Sequence, residues 1–373
     1  MPAEPLDGGA PGRGPSGPEG EVIRLVRAEP GGGEGGREDA AFAWEHGLVY
    51  VAAGSAARRP GAERAGESAL DRVPGGEPVI VRGAGPAFID LLRPLTVGRG
   101  GAFRRGSGGR PAYAAGGHEP LLYVVSRRGV PYHAKIGSAP AAGPPPVGGF
   151  LRELPDGPLD HRRDVWPVVA KELTYAYYHE LLVAHPERAR MSWEAFAEAY
   201  APEPWDGKAM RALIRKAVPG HGDRLNLARL DRPLAGIRFG DSAGLQRWVH
   251  GYIAAGLARR RDPAHSADLA LVHGLTTVLG LLAARGEVDP SLADLAGFVA
   301  GGPRPCRLEE LLALARAGVV TFAGADSRAV ADPAAGLWRA GGPAVPGHVR
   351  ARALIDAPSP PFPIARRSIR QVA

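Results

Sequence analysis

The chain has 373 residues, 45% of them hydrophobic, with a formal net charge of +7 and a pI near 9.8. This length and apolar share predict a globular protein with a sizeable core, by length alone two domains. The single cysteine, Cys306, excludes a disulfide framework and a cysteine-based zinc site. Only four of the 46 basic residues are Lys, and the arginines are scattered among acids, which argues against a nucleic-acid partner.

Targeting and membrane signals are weak in this sequence. No apolar run follows Met1, and the longest apolar stretch, residues 269–284, is short for a membrane span and contains His273. We therefore expect a cytoplasmic protein without a membrane partner. The eleven histidines show no H-E-x-x-H or other paired-ligand spacing, so we expect no metal site.

The chain begins with a segment that is poor in large apolar residues. Residues 1–40 consist mainly of Gly, Pro, Glu and Arg, and such a segment cannot bury enough surface to offset its ordering entropy. We expect it to be disordered. From residue 41, the stretch "AAFAWEHGLVYVAAG" predicts a short helix that stops at Gly47, followed by a strand.

Residues 78–135 have the pattern of a βαβ unit. An apolar strand (Pro78–Arg82) precedes a glycine turn and a helix from Ala87 to about Val97, which Pro94 should kink or end near Arg93. A long loop then leads to a second strand, Leu121–Val125. A helix between two apolar strands predicts parallel pairing with a right-handed crossover, as in a Rossmann-like fold.

The remainder is mostly helical and then returns to alternating strands and helices. "DVWPVVAKELTYAYYHELLVAH" opens with Asp164 as the expected N-cap. "CRLEELLALARAG" predicts a helix that ends at Gly318, "VVTFAG" a strand, and "HVRARALIDA" at 348–357 another strand. The predicted fold class is α/β, a parallel sheet of the dinucleotide-binding type with a large helical insertion.

These patterns divide the chain into five parts. We predict a disordered segment (1–40), a dinucleotide-binding α/β portion (41–140), a helical insertion (150–300), a returning α/β portion (301–357) and a tail (358–373). The Gly/Pro-rich stretch at 137–149 separates the second part from the third.

The turn Gly83-Ala84-Gly85 is the first candidate nucleotide contact. With 53 glycines in the chain, chance alone gives about seven G-x-G triplets. This triplet, however, stands between an apolar strand and an apolar helix, where backbone N–H groups can approach a pyrophosphate. Phe88 occupies the place of the third glycine in the full fingerprint, so a purely structural turn is the alternative.

The end of the second strand carries the other candidate contacts. Ser126, Arg127 and Arg128 stand where an acid would accept a hydrogen bond from a ribose 2′-hydroxyl. Serine and arginine would instead bind a 2′-phosphate, which favours NADP(H) over NAD(H). A solvated basic turn is the alternative. His118, Glu119 and His133 flank this unit as weaker candidates for substrate contact, with structural roles favoured.

Several stretches resemble a known family. "VIVRGAGPAFIDLLRPLTVGRGGAFRRGSGGRPAYAAGGHEPLLYVVSRRGVPYHAK" is similar to a block of bacterial FAD/NAD(P)-binding proteins related to FAD-dependent urate hydroxylases and aspartate N-monooxygenases. "DVWPVVAKELTYAYYHELL", "DPAHSADLAL" and "GGPRPCRLEELLALARAGVVTFAGA" resemble its later blocks in the same order, so the resemblance covers residues 41–357. In the first block it implies cofactor contacts at Asp90, Arg99 and Gly100, beside Gly83, Gly85 and Ser126–Arg128.

The resemblance also implies an activity. It predicts a flavoprotein oxidoreductase of the monooxygenase type, in which NADPH reduces FAD for oxidation or hydroxylation of a small molecule. The sequence departs from the family at both ends, because residues 1–40 contain no G-x-G-x-x-G turn and the chain closes in "PIARRSIRQVA". We therefore expect the FAD-binding ends to be missing. The alternative function is a non-catalytic nucleotide-binding remnant or fragment of such a flavoprotein.

Overall fold

The structure, a computed structural model, describes residues 34–52, 69–359 and 362–363. The strands in chain order are β1 (Val49–Ala52), β2 (Pro78–Arg82), β3 (Ala102–Arg105), β4 (Pro111–Ala114), β5 (Leu121–Val125), β6 (Val320–Phe322), β7 (Arg328–Asp332), β8 (Leu337–Gly342), β9 (Val345–Ala351) and β10 (Ala353–Asp356). The α-helices are α1 (Glu34–His46), α2 (Pro86–Leu95), α3 (Trp166–Ala184), α4 (Trp193–Tyr200), α5 (Lys208–Ala217), α6 (Leu227–Asp231), α7 (Ser242–Arg259), α8 (Ser266–Arg285), α9 (Pro290–Ala300) and α10 (Pro305–Arg316).

A five-stranded parallel sheet in the order β1-β10-β2-β5-β6 organises the fold. This confirms the predicted α/β class and the parallel pairing of β2 with β5, whose bounds are those read from the sequence. The sequence predicts disorder over residues 1–40, and residues 1–33 of that segment lie outside the described residues. Helix α1 begins at Glu34, so the prediction is wrong for residues 34–40.

The sheet is covered on both faces, which explains why its strands read as continuous apolar runs. On β2, Val79 and Val81 pack into the core shared with the helices. Ile80, between them, packs with Trp338 of β8 on the opposite face. The antiparallel sheet β7-β8-β9 and helix α1 supply that second layer.

Three local expectations need correction. The loop between α2 and β5 contains an antiparallel hairpin, β3 with β4. The stretch predicted as one strand at 348–357 is two, because β9 joins the antiparallel sheet while β10 joins the parallel one, with Arg352 between them. The turn before α3 is capped by Asp160, whose Oδ1 accepts from the Arg163 N–H at 2.7 Å, and not by Asp164.

Helix α2 also differs from its prediction. It continues through Pro94 to Leu95 instead of ending near Arg93. Pro94 therefore lies in the last turn. There the Thr96 hydroxyl donates to the Leu92 carbonyl oxygen at 2.6 Å and satisfies one of the free carbonyls at the helix end.

The helices between β5 and β6 form a bundle around α8, which packs against α3 and α9. Residues 263–285 are long and apolar enough to cross a membrane by length and composition, and 61% of the 18-residue apolar window within them is buried inside the protein. A core helix passes the same test. Helix α10 then returns to the sheet, where it contacts α2 and β6.

Candidate functional site

A cavity of about 710 Å³ lies at the carboxyl-terminal edge of the parallel sheet. This edge is where ligands bind in open α/β sheets, and the volume falls within the usual range of about 300–1,000 Å³ for cofactor sites. Four strand ends contribute to its wall: Gly83 and Ala84 after β2, Ser126, Arg127 and Arg128 after β5, Asp326 and Ser327 after β6, and Ser359 after β10. The structure thus brings together Gly83, Ser126, Arg127 and Arg128.

The two glycines of the turn after β2 are required by the passage of another segment. Gly83 adopts φ +110°, which residues with a Cβ rarely adopt, and a Cβ there would clash with the Ala357 carbonyl oxygen. At Gly85, the N-cap of α2, a Cβ would clash with the Ser359 hydroxyl. Residues 357–359 therefore give both glycines a structural role, whether or not a phosphate also binds at this turn.

The start of α2 still offers donors to an anion. Pro86 at the first helical position has no N–H, and the first intrahelical bond runs from the Ile89 N–H to the Gly85 carbonyl oxygen at 3.2 Å. The N–H groups of Gly85, Ala87 and Phe88 are left without intrahelical acceptors, at the positive end of the helix dipole. The Phe88 side chain is fully buried in the core, so the close helix–strand approach of a complete fingerprint is absent from this turn.

Arg128 is held by carboxylates of the helical region. Its side chain is 6% exposed, and its guanidinium donates to Asp231 Oδ1 at 2.5 Å and to Asp294 Oδ2 at 2.8 Å. The Nε atom also donates to the Asp231 carbonyl oxygen at 2.9 Å, and the guanidinium lies 4.4 Å from the centre of the Phe298 ring. These contacts tie the end of β5 to α6 and α9.

Arg127 is the more accessible of the two arginines. Its side chain is 48% exposed and pairs with Asp294, which is itself 41% exposed. Ser126 shapes the turn, because its Oγ accepts from the Gly129 N–H at 3.0 Å. Within the Ser-Arg-Arg element, therefore, Arg127 is the side chain that can exchange its partner for an incoming phosphate.

Three other predicted residues lie away from this cavity. Arg99 donates from Nη2 to the Leu70 carbonyl oxygen at 2.6 Å and from Nη1 to the His118 carbonyl oxygen at 3.5 Å, near the amino-terminal ends of β2 and β5. Gly100, at φ +94°, ends the short turn that contains Arg99. Asp90 is exposed on α2. These three residues therefore have no place in a ligand site at this cavity. Gly85 does not line the cavity either, but it directly follows Gly83 and Ala84, which do.

The structure adds charged residues that the sequence analysis did not select. Arg82, at the end of β2, donates to Asp39 Oδ2 at 2.8 Å and to Asp356 Oδ2 at 3.4 Å. Asp326 and Arg328 follow β6 and also line the cavity, and Arg328 is exposed with no ion pair among the described residues. Asp326 and Arg328 could have been selected from the sequence, because "ADSR" directly follows the predicted strand "VVTFAG".

No group of three or more His, Cys, Asp or Glu side chains that could hold a metal ion occurs in the described ranges.

Comparison with known proteins relates the chain to nitrogen-oxidising enzymes. It is 32% identical over 358 residues to an L-aspartate N-monooxygenase (nitrosuccinate-forming) from Streptomyces davaonensis, which covers 88% of this chain and 52% of the relative. A protein of the same name from Streptomyces cremeus is 33% identical over 316 residues (78% and 47%), and a nitrosuccinic acid synthase from Aspergillus oryzae 28% over 326 residues (76% and 46%). The chain thus spans about half the length of these curated relatives. No family model matches the chain.

Proposed function

We propose that the cavity at the carboxyl-terminal edge binds NADP(H), and that the chain works as the NADP(H)-binding part of a monooxygenase-like flavoprotein that oxidises a small molecule. One observation carries this proposal. Gly83 and Ala84 of the β2–α2 turn and the accessible Arg127 line one cavity beside parallel strand ends, and α2 begins directly after that turn.

Within this proposal the residues have distinct roles. Arg127 and Arg328 would bind the 2′-phosphate, since a guanidinium makes paired hydrogen bonds to phosphate oxygens. The N–H groups of Gly85 and Ala87 would receive the pyrophosphate. Arg128 positions this loop through its bonds to Asp231 and Asp294, and Ser126 holds the turn.

The similarity to aspartate N-monooxygenases supports an oxidoreductase with a small-molecule substrate. By this proposal the substrate is a small amino acid or organic acid, because two relatives are named for aspartate. FAD, when bound, supplies the chemistry that activates oxygen. The described residues place one glycine turn between a parallel strand and a helix, and we assign that turn to NADP(H) rather than to FAD.

Calorimetric titration with NADPH and NADH tests the nucleotide assignment. The parent chain should bind NADPH more tightly than NADH. Arg127→Ala should weaken NADPH by about tenfold or more, the effect of losing one charge-assisted phosphate contact, and leave NADH nearly unchanged. Arg104→Ala, on the exposed face of β3, is the matched control. Equal losses for both nucleotides, or no nucleotide binding by the parent, would refute the assignment.

Binding of FAD and oxidation of NADPH distinguish the catalytic proposal from the non-catalytic alternative. A chain that binds NADPH and shows FAD-dependent NADPH oxidation on addition of FAD supports the flavoprotein proposal. A chain that binds NADPH but neither binds FAD nor oxidises NADPH, even when extended with flanking sequence, matches the non-catalytic nucleotide-binding protein instead.

A further inference from the structure

A second cavity, of about 340 Å³, lies inside the helical region. Its walls come from α3, α6, α7, α8 and α9 and from the segment that follows β5. None of the residues used for the nucleotide proposal lines it. Its volume lies at the low end of the usual range of about 300–1,000 Å³ for small-molecule sites and is about half that of the first cavity.

The cavity has an excess of positive charge. Four guanidinium groups and one carboxylate, Asp268, line it among the residues that the structure describes. Asp268 accepts two hydrogen bonds of 2.8 Å from Arg259. Arg224 donates to the carbonyl oxygens of Val218 and Pro219, both at 2.8 Å. Arg229 likewise donates to backbone carbonyl oxygens. The charge of these two groups, and that of Arg260, therefore has no carboxylate partner within the described residues.

Among the four arginines that line the cavity, Arg260 has a buried nitrogen atom without a hydrogen-bond partner among the described residues. Its Nη2 donates to the Val299 carbonyl oxygen at 3.1 Å, whereas Nη1 is buried and has no hydrogen-bond partner among the described residues. Burial lowers the pKa of this guanidinium, with the nearby Asp268 and Tyr252 opposing the shift. Nη1 itself is covered by protein, but the guanidinium lines the cavity with a charge that no carboxylate of the described residues neutralises, and this charge favours an anion in the cavity.

A neutral polar pair completes the wall. His133 Nε2 and the Tyr252 hydroxyl lie 3.0 Å apart. Burial, with the charges of Arg260 and Arg128, lowers the pKa of His133 to about 3, so the imidazole is uncharged at neutral pH. An uncharged imidazole and a phenol can exchange hydrogen bonds with a polar group of a ligand without adding charge to the site.

The two cavities are lined by consecutive residues of the segment that follows β5. Tyr132 lines the first cavity and His133, the next residue, lines the second. The Phe298 ring lies edge-on to both, with centroid distances of 5.6 Å to Tyr132 and 4.9 Å to His133. The Phe298 ring thus packs against a lining residue of each cavity.

We propose that the second cavity binds a small organic acid, with its carboxylate beside the Arg260 guanidinium and with His133 and Tyr252 contacting its other polar end. A guanidinium fork matches a carboxylate, and apolar side chains of the same wall, such as Leu271 and Val272, would contact the carbon chain of an organic acid. The carboxylate site is inferred independently of any nucleotide, and only its identification as the substrate site rests on the proposed function.

Calorimetric titration of the full chain with succinate, in the absence of nucleotide, tests this inference. Succinate should bind, and the uncharged analogue succinamide should bind at least about tenfold more weakly, as the loss of charge-assisted hydrogen bonds predicts. Arg260→Gln should weaken succinate by a similar factor. Arg261→Gln is the matched control, because the exposed neighbouring Arg261 pairs with Glu309 at 2.7 Å outside this cavity.

Several results would overturn the proposal. Absence of a saturable heat with succinate, equal binding of succinamide or of inorganic phosphate, or unchanged binding in Arg260→Gln would each do so. The comparison of succinate with succinamide uses the parent chain, so it remains decisive if Arg260→Gln does not fold. Loss of succinate binding in Arg127→Ala would place the acid in the first cavity. NADPH binding without succinate binding refutes only this inference, and succinate binding without NADPH binding refutes only the nucleotide proposal.

Discussion

Replacing Arg128 by Met should destabilise the fold far more than the same change at Arg127. The Arg128 guanidinium makes charge-assisted hydrogen bonds to two carboxylates and packs on Phe298. Removing one partner of a fully buried ion pair costs about 3–5 kcal/mol. Asp231 and Asp294 are 31% and 41% exposed and can regain water, so we expect a loss near the lower end, about 3 kcal/mol. Arg127 is 48% exposed, and its replacement should cost less than about 1 kcal/mol.

Urea unfolding of the parent and the two variants measures this difference. Methionine keeps the apolar stem and lacks only the charge and donors, so the loss reports the ion pairs more than the packing. The urea concentration at the unfolding midpoint should fall clearly for Arg128→Met and stay close to that of the parent for Arg127→Met. The slope of the unfolding free energy against urea concentration should be the same in all three proteins. A double-mutant cycle with Asp294→Asn should show coupling at Arg128. Similar small losses for both variants would refute the structural role of Arg128.

Three further outcomes follow from the structure. His133 has a pKa of about 3 in the folded protein and near 6.5 in the unfolded chain, so its contribution to stability is complete above pH 6.5 and is lost as the pH falls toward 3. Urea unfolding should therefore show that the free energy of unfolding falls by about 2 kcal/mol between pH 6.5 and 5. If His133→Gln loses the same amount of stability over this pH range, the assignment to His133 is wrong. Gly83→Ala should destabilise the fold by about 1–3 kcal/mol because the new Cβ meets the Ala357 carbonyl oxygen. Gly100→Ala is the control, since Gly100 has a similar φ but open space for a Cβ, and it should lose less stability. Equal losses in thermal unfolding would show that the close approach at Gly83 is unimportant. DNA binding, measured by fluorescence anisotropy, should be weak and vanish by physiological salt because the arginines are dispersed, and submicromolar binding at that salt would disprove it.

The strands of the parallel sheet were readable because burial on both faces leaves a strong local signal. "PVIVR" and "LLYVV" are uninterrupted apolar runs between polar loops, and their bounds were predicted correctly. The division of residues 345–356 between two sheets was not readable. The sequences of β9 and β10 are both compatible with a strand, and no local signal separates them. Only the pairing of β9 with β8, and of β10 with β1 and β2 far away along the chain, places them in different sheets.

The candidate site was predictable at the level of strand ends but not at the level of side-chain partners. Gly83 and Arg127 could be selected because the ends of parallel strands meet at one edge. The partners of Arg128 could not, since Asp231 and Asp294 lie on helices more than a hundred residues away along the chain. The unpaired Arg260 was equally hidden, because an arginine in "GLARRR" reads as a solvated charge until the helices around it are assembled.

The position of β10 has a consequence for how the protein folds during its synthesis. This strand lies between β1 and β2, although about 270 residues separate it from β2 along the chain. While the ribosome is making the helical region, β1 and β2 each present an unpaired edge where β10 will later insert, and such edges invite pairing with other chains. The final sheet can close only after residues 353–356 emerge, so chaperone availability during that interval should limit the yield of folded protein.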